Sequence, residues 1–318
     1  MENENLKRGI IFGILGTFLI GLQPIVANSR PMVIDAFIFA AMTMIVEALI
    51  FFPLMVIERK KIKTDFKNNC LNERELNSLL YGFKRNKLLL IFVGTAFGIG
   101  MVLFFIGYGL AGAINGSLAQ KSALFFSLIF GFLILHEKIS KKQIFFSILL
   151  FLGLILAVTQ GSFNILEFNA GVLVLLVLAC IWMFTHTISK PMLDRKEATA
   201  IQMVCLRNGI GGLMLITIYL LFFPAENLMI FSDLINYFWF FIMGLVYGTG
   251  LFCWYKTLSY LDVNKASILV SPTPIVTAIF ATLILGEVFT IFHLIGMSII
   301  IFSIAMIVRE ASLKIKIV

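Results

Sequence analysis

Charged residues are scarce in this chain, which limits what the protein can be. Asp, Glu, Lys and Arg make up 13% of its 318 residues, whereas apolar residues make up 60%. A soluble globular protein carries about 25% charged residues, because its surface must face water. The composition therefore disfavours a soluble enzyme or scaffold. It also leaves no room for a sizeable domain outside a membrane.

Cysteine and histidine are also sparse. No two of the four cysteines have the spacing of a metal clip, so we predict free thiols, no bound metal and no disulfide framework. The three histidines fall in different segments, and no glycine-rich phosphate-binding loop is present. We therefore expect no cofactor and no enzymatic activity. These residues are Cys70, Cys180, Cys205, Cys253, His136, His186 and His293.

Long apolar runs dominate the rest of the chain, whose mean hydropathy is +1.01. A helix needs about 20 apolar residues to cross a bilayer. Ten apolar runs of this kind are separated by charged residues, Gly or Pro. The sequence therefore predicts an all-α integral membrane protein with ten transmembrane helices. The predicted spans are 9–28, 33–57, 88–110, 114–135, 142–160, 170–190, 200–222, 235–256, 266–285 and 289–308.

The distribution of Lys and Arg predicts how the chain is oriented. Cytoplasmic loops of membrane proteins accumulate these residues. If the N-terminus is inside, Arg30 falls outside, Lys121 and Arg207 lie within spans, and every other Lys and Arg is cytoplasmic. This asymmetry predicts that both termini are inside. It accounts for the net charge of +8, so we expect no nucleic-acid partner.

The longest predicted loop, 58–87, is basic and contains an amphipathic segment. Leu76, Leu79, Leu80 and Phe83 recur at helical spacing. Asn72 precedes them, with Glu75 three residues later, which is typical of a capping box. We predict a short helix on the inner membrane surface, where it either anchors to lipid or regulates the protein.

The chain contains an internal repeat. An offset of 150 residues superposes three glycines, at 94, 98 and 100, on those at 244, 248 and 250, and Glu137 on Glu287. The predicted domains are therefore two halves of five helices, 1–160 and 161–318. Because five is odd, the second half enters the membrane from the opposite side. Inverted repeats of this kind are typical of alternating-access transporters.

Three segments resemble a known family. They are GLQPIVAN (Gly21–Asn28), LILHEKIS (Leu133–Ser140) and SPTPIVTAIFATLILGEVFT (Ser271–Thr290). Together they resemble the drug/metabolite transporter superfamily, specifically its EamA-type ten-helix members. The resemblance implies small-metabolite transport, often export, through a central cavity lined by the first four helices of each half. Lys121, which the offset matches to Ser271, departs from the general family, so the resemblance does not name a substrate.

Glu47, Lys121 and Arg207 are ionisable residues that lie well inside the predicted spans, away from their ends. Each costs about 2.5–3.5 kcal/mol to insert, so each should face a cavity or a partner. We expect Lys121 and Arg207 to bind a substrate carboxylate or phosphate, and Glu47 to exchange a proton with the substrate. The alternative is a fixed ion pair of Glu47 with either cation that only joins helices.

Five aromatic or imidazole side chains are further candidates for substrate binding. Trp182 and His186 share one face of the sixth span, and Tyr247 and Trp254 share one face of the eighth. Tyr108 lies near the outer end of the third. Anchoring at the membrane interface is the alternative for all of them.

Prolines at 24, 272 and 274 should break the first and ninth spans and expose backbone carbonyls. The alternative is a hinge or packing kink. The polar groups expected at the breaks are Gln23, Ser271 and Thr273. For Glu137 and Glu287 at helix ends, we favour capping and gating contacts over substrate contact. The glycines at 94, 98, 244 and 248 are expected to form close-packed helix contacts.

The sequence thus predicts a multi-pass plasma-membrane transporter for a small metabolite. An amino acid or another carboxylate-bearing compound fits Lys121 and the aromatic residues best. We expect secondary active export by alternating access, with protons as a candidate coupling ion and a monomer or homodimer as the assembly. A channel or a non-transporting membrane receptor is the alternative.

Overall fold

The computed structural model describes residues 2–68, 70–136, 138–164, 169–261, 266 and 269–315. Within these ranges the regular structure is helical and contains no strand. One 3-10 turn spans Gly82–Asn86, another spans Ala225–Ser232, and a π-helical turn spans Ala281–Leu285. The α-helices are α1 (Glu2–Ser29), α2 (Ala36–Lys67), α3 (Glu73–Tyr81), α4 (Lys87–Ala111), α5 (Ala113–Gln120), α6 (Ala123–Leu135), α7 (Lys141–Val158), α8 (Ala170–Asp194), α9 (Ala200–Phe222), α10 (Leu234–Tyr260), α11 (Thr273–Phe280) and α12 (Ile291–Ile315).

The helices overlap the predicted spans, although α2 continues past the predicted end at residue 57 to Lys67. In the described part of the chain, nine helical segments are long and apolar enough to cross a bilayer, judged by length and composition, when α5 and α6 are counted together as one segment. A shorter apolar helix, Thr273–Leu285, occupies the place of the predicted ninth span. The prediction of an all-α, multi-pass membrane protein is confirmed.

Side-chain caps fix several helix starts. Asp35 accepts hydrogen bonds from the backbone N–H groups of Phe37 and Ile38 at the start of α2, at 2.8 and 3.0 Å. The predicted capping box of α3 is confirmed, because Asn72 and Glu75 bond each other's backbone N–H groups. Such caps satisfy N–H groups that have no partner within the helix. The capping box fixes the start of α3, which is only nine residues long.

The fourth and ninth spans are interrupted at repeat-related positions. The predicted span 114–135 consists of two helices, α5 and α6, joined by a turn at Lys121 and Ser122. The 150-residue offset places this turn on the one at Ser271 and Pro272, which precedes α11. Proline accounts for the second break. No proline marks the first, which is why the sequence predicts a continuous helix there.

The chain packs as two compact units. The first unit comprises Met1–Arg30, Leu103–Cys180 and Thr249–Val318, and the second comprises Pro31–Val102 and Ile181–Gly248. In the first unit, α7 packs along α12 and α1 along α11. Gly153 permits the contact with α12, since an added Cβ would lie 2.9 Å from the Gly296 carbonyl oxygen. The predicted domain division, 1–160 and 161–318, stays a prediction.

In the second unit, α2 packs along α9, and glycines on three helices allow close approach. A Cβ on Gly94 would lie 2.7 Å from Ile210, and one on Gly98 would lie 3.3 Å from Gly211. A Cβ on Gly244 would likewise clash with the side chain of Val46. A Cβ on Gly248 would make only ordinary van der Waals contacts. Close helix contacts are thus present at three of the four predicted glycines.

Candidate functional site

Phe97 of α4 is the centre of an aromatic and cationic cluster in the second unit. The Arg207 guanidinium carbon of α9 lies 4.0 Å from its ring centroid. Trp182 of α8 stacks on the same ring at 6.0 Å and 15°, and His186 meets it edge-on at 5.2 Å. Gly94 lets α4 approach α9 closely enough for the cation–π contact. We call Phe97, Trp182, His186 and Arg207 the Phe97 cluster.

Glu47 and Asn208 form a buried polar pair in the same unit. Glu47 of α2 is 1% exposed and Asn208 of α9 is 3% exposed. The Asn208 side-chain amide donates to Glu47 Oε2 at 2.8 Å. The packing of α2 on α9 brings these side chains together, because Gly211 and Gly212 contact the α2 chain closely. The hydrogen bond supplies a polar partner for the carboxyl group within apolar helices.

Buried polar atoms of the second unit that have no hydrogen-bond partner among the described residues include Arg207 Nε and the Thr43 hydroxyl oxygen. Arg207 is 4% exposed, and no described residue hydrogen-bonds its Nε atom. The hydroxyl of Thr43, one turn before Glu47, is likewise buried without a partner among the described residues. Buried polar groups are nearly always hydrogen-bonded to protein or water. A bound anion or water would therefore supply the missing hydrogen-bond acceptor for Arg207 Nε. The guanidinium group has five N–H donors, an arrangement that suits a carboxylate.

Lys121 lies at the α5–α6 break in the first unit. Its Nζ atom donates to the Val270 carbonyl oxygen at 3.1 Å. Pro274 has no N–H, so the Val270 carbonyl lacks its usual donor four residues on. The Thr273 hydroxyl donates to the same oxygen at 2.6 Å. Lys121 thus satisfies a carbonyl exposed by the proline break and retains two further N–H donors on its ammonium group.

The other predicted residues of the first unit have different surroundings. Gln23 and Ser271 are buried, and Gly250 leaves space beside the Gln23 side-chain amide, since a Cβ there would lie 3.3 Å from it. Tyr108 is 3% exposed and packs in the core against Phe104, with ring centroids 4.6 Å apart. The predicted role of Tyr108 in substrate binding stays a prediction.

The two aromatic residues of α10 that the sequence predicts as site residues belong to different units. Tyr247 lies in the second unit and Trp254 in the first. Both side chains are half-buried. The 150-residue offset places Phe97 on Tyr247.

Glu287 caps a helix. Its carboxylate oxygens accept hydrogen bonds from the backbone N–H groups of Ala113 and Ile114, at 2.6 and 2.9 Å, at the start of α5. A carboxylate at a helix N-terminus also interacts favourably with the helix dipole. The gating role predicted for this residue stays a prediction. Glu137, its partner in the repeat, lies outside the described residues.

Sequence reasoning missed Phe97 and did not pair Asn208 with Glu47. The chain has 33 phenylalanines, and composition does not distinguish one of them. The repeat carried a usable signal, because it matches Phe97 to the candidate Tyr247. In the described part of the chain, no three His, Cys, Asp or Glu side chains group closely enough to hold a metal ion.

Comparisons with known proteins point to one family. The family model described as the EamA-like transporter family matches residues 7–159 and again 169–309. An uncharacterized transporter of Methanothermobacter thermautotrophicus is 27% identical over 143 residues, 43% of this chain and 41% of its own. The uncharacterized transporter YyaM of Bacillus subtilis is 24% identical over 205 residues, 63% of this chain and 65% of its own.

The chain thus spans less than two thirds of the length of each of these relatives. A crystal structure of another protein resembles the whole fold, with a TM-score of 0.61 at 13% sequence identity. The match covers 95% of this chain and 98% of the other. At this identity the likeness concerns the fold alone.

Proposed function

Because the chain belongs to the EamA-like transporter family, we propose that it is a secondary transporter that exports a carboxylate-bearing metabolite, such as an amino acid. We propose that it acts by alternating access around a central cavity in the plasma membrane. The working assembly would be a monomer or homodimer. This proposal extends the family assignment, which by itself supports a multi-pass membrane transporter.

The observation that carries the substrate class is the buried Arg207. A cation within apolar helices is costly unless it is paired or used. Its guanidinium lies over the Phe97 ring, yet no described residue hydrogen-bonds its Nε atom. A carboxylate can accept two parallel hydrogen bonds from this planar group. Trp182 and His186 beside the ring would contact the rest of a small amphipathic substrate.

Lys121 is a second candidate for binding the carboxylate, in the first unit. One of its three N–H donors goes to the Val270 carbonyl oxygen, so the ammonium group can also bind an anion. The competing role is purely structural, as a donor at the proline break. Thr273 distinguishes the two roles, because its hydroxyl donates to the same oxygen but carries no charge.

Thermal unfolding of the detergent-purified protein tests the substrate class. A ligand that binds only the folded state raises the melting temperature, by an amount equivalent to about 2.7 kcal/mol at 100 times its Kd. We expect amino acids or other carboxylates to stabilise the wild type, with the shift lost in Arg207→Gln and Lys121→Ala.

Thr273→Val is the matched control, because it removes a donor to Val270 but no charge. It should keep the ligand-induced shift even if its own melting temperature falls. Equal shifts in all four proteins would contradict roles for both cations. Loss in Arg207→Gln alone would assign binding to the Phe97 cluster and leave Lys121 a structural role.

We also propose that Glu47 couples export to protons. A carboxyl group held by a single amide hydrogen bond can bind a proton in one state and release it in another. Glu47→Gln keeps an oxygen acceptor for Asn208 but cannot titrate. We expect uptake into proteoliposomes to lose its dependence on a pH gradient in this variant, while ligand-induced stabilisation persists. An unchanged pH dependence would exclude the coupling role.

A further inference from the structure

A separate polar cleft lies in the second unit, at the connections predicted to be cytoplasmic. Its volume is about 460 Å³. It lies among α3, the 3-10 turn Gly82–Asn86 and the connection between α8 and α9. The lining residues are Arg74, Asn77, Ser78, Arg85, Arg195 and Glu197.

Hydrogen bonds hold the two sides of this cleft together. The Ser78 hydroxyl donates to the Lys196 carbonyl oxygen at 3.1 Å. The Asn86 side-chain amide donates to Glu197 Oε2 at 2.8 Å. Gly82 lets the backbones meet, since a Cβ there would lie 2.6 Å from the Glu197 Cα atom. The capping box that fixes the start of α3 also fixes Arg74, its second residue.

The charges of the cleft are unbalanced. Three arginines and one glutamate line it, which leaves a net charge of +2. Glu197 is already engaged, because Arg195 donates to its Oε2 atom at 3.0 Å and Asn86 donates to the same atom. Arg74 and Arg85 form no ion pair within 4 Å in the described part of the chain, although the charge of Arg85 acts on Glu197 at longer range and lowers the pKa of that carboxyl. Lys196, which borders the cleft, is paired with Glu75 at 3.7 Å.

We propose that this cleft binds a phosphate group, either of an anionic lipid headgroup or of a soluble phosphate compound. Guanidinium groups bind phosphate oxygens through paired hydrogen bonds. A phosphate monoester carries a charge of about −1.5 to −2 at neutral pH, which matches the excess of +2. Asn77 supplies a further side-chain amide beside the arginines. The bound group would join α3 to the connection between α8 and α9.

Two probes separate the two sources of phosphate, both with the full-length protein. The first is inorganic phosphate, titrated against chloride at matched ionic strength while the melting temperature is recorded. The second is phosphatidic acid in phosphatidylcholine vesicles, with the lipid that co-purifies after solubilisation measured by mass spectrometry. If the natural ligand is soluble, inorganic phosphate should raise the melting temperature. If it is a lipid headgroup, phosphatidic acid should be retained selectively after solubilisation.

The variant Arg74→Gln/Arg85→Gln removes the two guanidinium groups of the cleft that form no ion pair within 4 Å among the described residues. Lys60→Gln/Lys61→Gln is the matched control, because it removes the same charge from exposed positions of α2 in the same unit. We expect the arginine variant to bind the effective probe at least about tenfold more weakly, and the lysine control to bind like the wild type.

Equal weakening in both variants would show a general charge effect and overturn the proposal. So would the absence of a wild-type response to both probes. The single variant Arg85→Gln provides the same comparison if the double variant does not fold. Carboxylate-induced stabilisation, which tests the transported substrate, should persist in every variant, so failure of this site is distinct from failure of the proposed transport function.

Discussion

Two ionisable side chains within the apolar helices have polar partners. Glu47 is paired with the Asn208 amide, and Lys121 with the Val270 carbonyl oxygen. In an apolar medium a polar group without a partner costs free energy, and each of these bonds reduces that cost. Arg207 differs, since its guanidinium contacts an aromatic ring and its Nε atom has no partner among the described residues. That difference is the basis on which we propose Arg207 as a ligand-binding residue.

The Glu47–Asn208 bond should be measurable by a double-mutant cycle. Asn208→Ala should lower the free energy of unfolding by about 1 kcal/mol, because side-chain hydrogen bonds between membrane helices contribute about 0.6 kcal/mol and at most about 1.7. The same change in a Glu47→Leu background should cost less. Thermal unfolding in one detergent measures all four proteins, and identical costs in both backgrounds would refute the pairing.

Rare residue types made part of the site predictable. Glu47, Lys121 and Arg207 stand out because ionisable residues are costly within membrane spans. Their partners could not be predicted in the same way. Asn208 follows Arg207 in the chain, but its bond to Glu47 depends on the packing of α2 against α9. Phe97 is one of many phenylalanines, and only the repeat links it to another candidate.

At the scale of elements, α3 is predicted to lie at the membrane surface, and in the structure it also contacts α2 and α9. Leu80 is 2% exposed, and its carbonyl oxygen accepts a hydrogen bond from Arg59 of α2 at 2.9 Å. The side chain of Gln202 in α9 donates to the Leu79 carbonyl oxygen, also at 2.9 Å. The apolar spacing that predicts an amphipathic helix thus also serves packing against α2 and α9.

Gly82 should be intolerant of a side chain. Gly82→Ala would place a methyl group against the Glu197 backbone and force the 3-10 turn away from it. We expect a cost of about 1–3 kcal/mol, as for overpacking elsewhere, and faster tryptic cleavage at Arg85 and Arg195. Gly209→Ala is the control, because no atom lies within 4 Å of the added Cβ. Equal cleavage rates in the two variants would contradict the contact.

The contact at Glu197 should also depend on pH. Hydrogen bonds from Arg195, and then from Asn86, hold the pKa of this carboxyl below its ordinary value of 4.5. Because the folded pKa is the lower one, the stabilisation is present above pH 4.5 and is lost as pH falls through the folded pKa. Glu197→Gln keeps an acceptor that does not titrate.

Hydrogen exchange of residues 73–86 measures this effect, with wild type and Glu197→Gln compared at each pH. We expect the wild type to lose protection relative to the variant below pH 4.5. Parallel behaviour of the two proteins throughout would show that the carboxylate does not stabilise the contact.

The helices could be predicted much better than their interruptions. Apolar run length determined the spans, and the Asn72–Glu75 spacing determined the start of α3. The break before α11 follows from its prolines. The break at Lys121 and Ser122 has no such marker, and only its repeat-related position connects it with the proline break. Local sequence therefore identified one interruption and missed the other. It also predicted a break at Pro24 that does not occur, because α1 continues through Pro24 to Ser29.

At the scale of the whole molecule, the repeated family match agrees with the repeat found in the sequence. The EamA-like model matches two segments, 7–159 and 169–309. Each compact unit nevertheless takes helices from both segments. The two matched halves of the chain are thus not the same as the two packing units.

Counterflow in proteoliposomes tests the central claim, that this protein is a carrier for a carboxylate-bearing metabolite. Vesicles are loaded with an unlabelled amino acid that stabilises the protein, and uptake of the labelled compound is followed from outside. The binding site of a carrier returns to the outside with unlabelled compound bound and then exchanges it for labelled compound. We therefore predict that label accumulates transiently above its equilibrium level, and that Arg207→Gln abolishes this accumulation. Uptake that only approaches equilibrium, without acceleration by the internal compound, would indicate a channel, and no uptake would indicate a receptor.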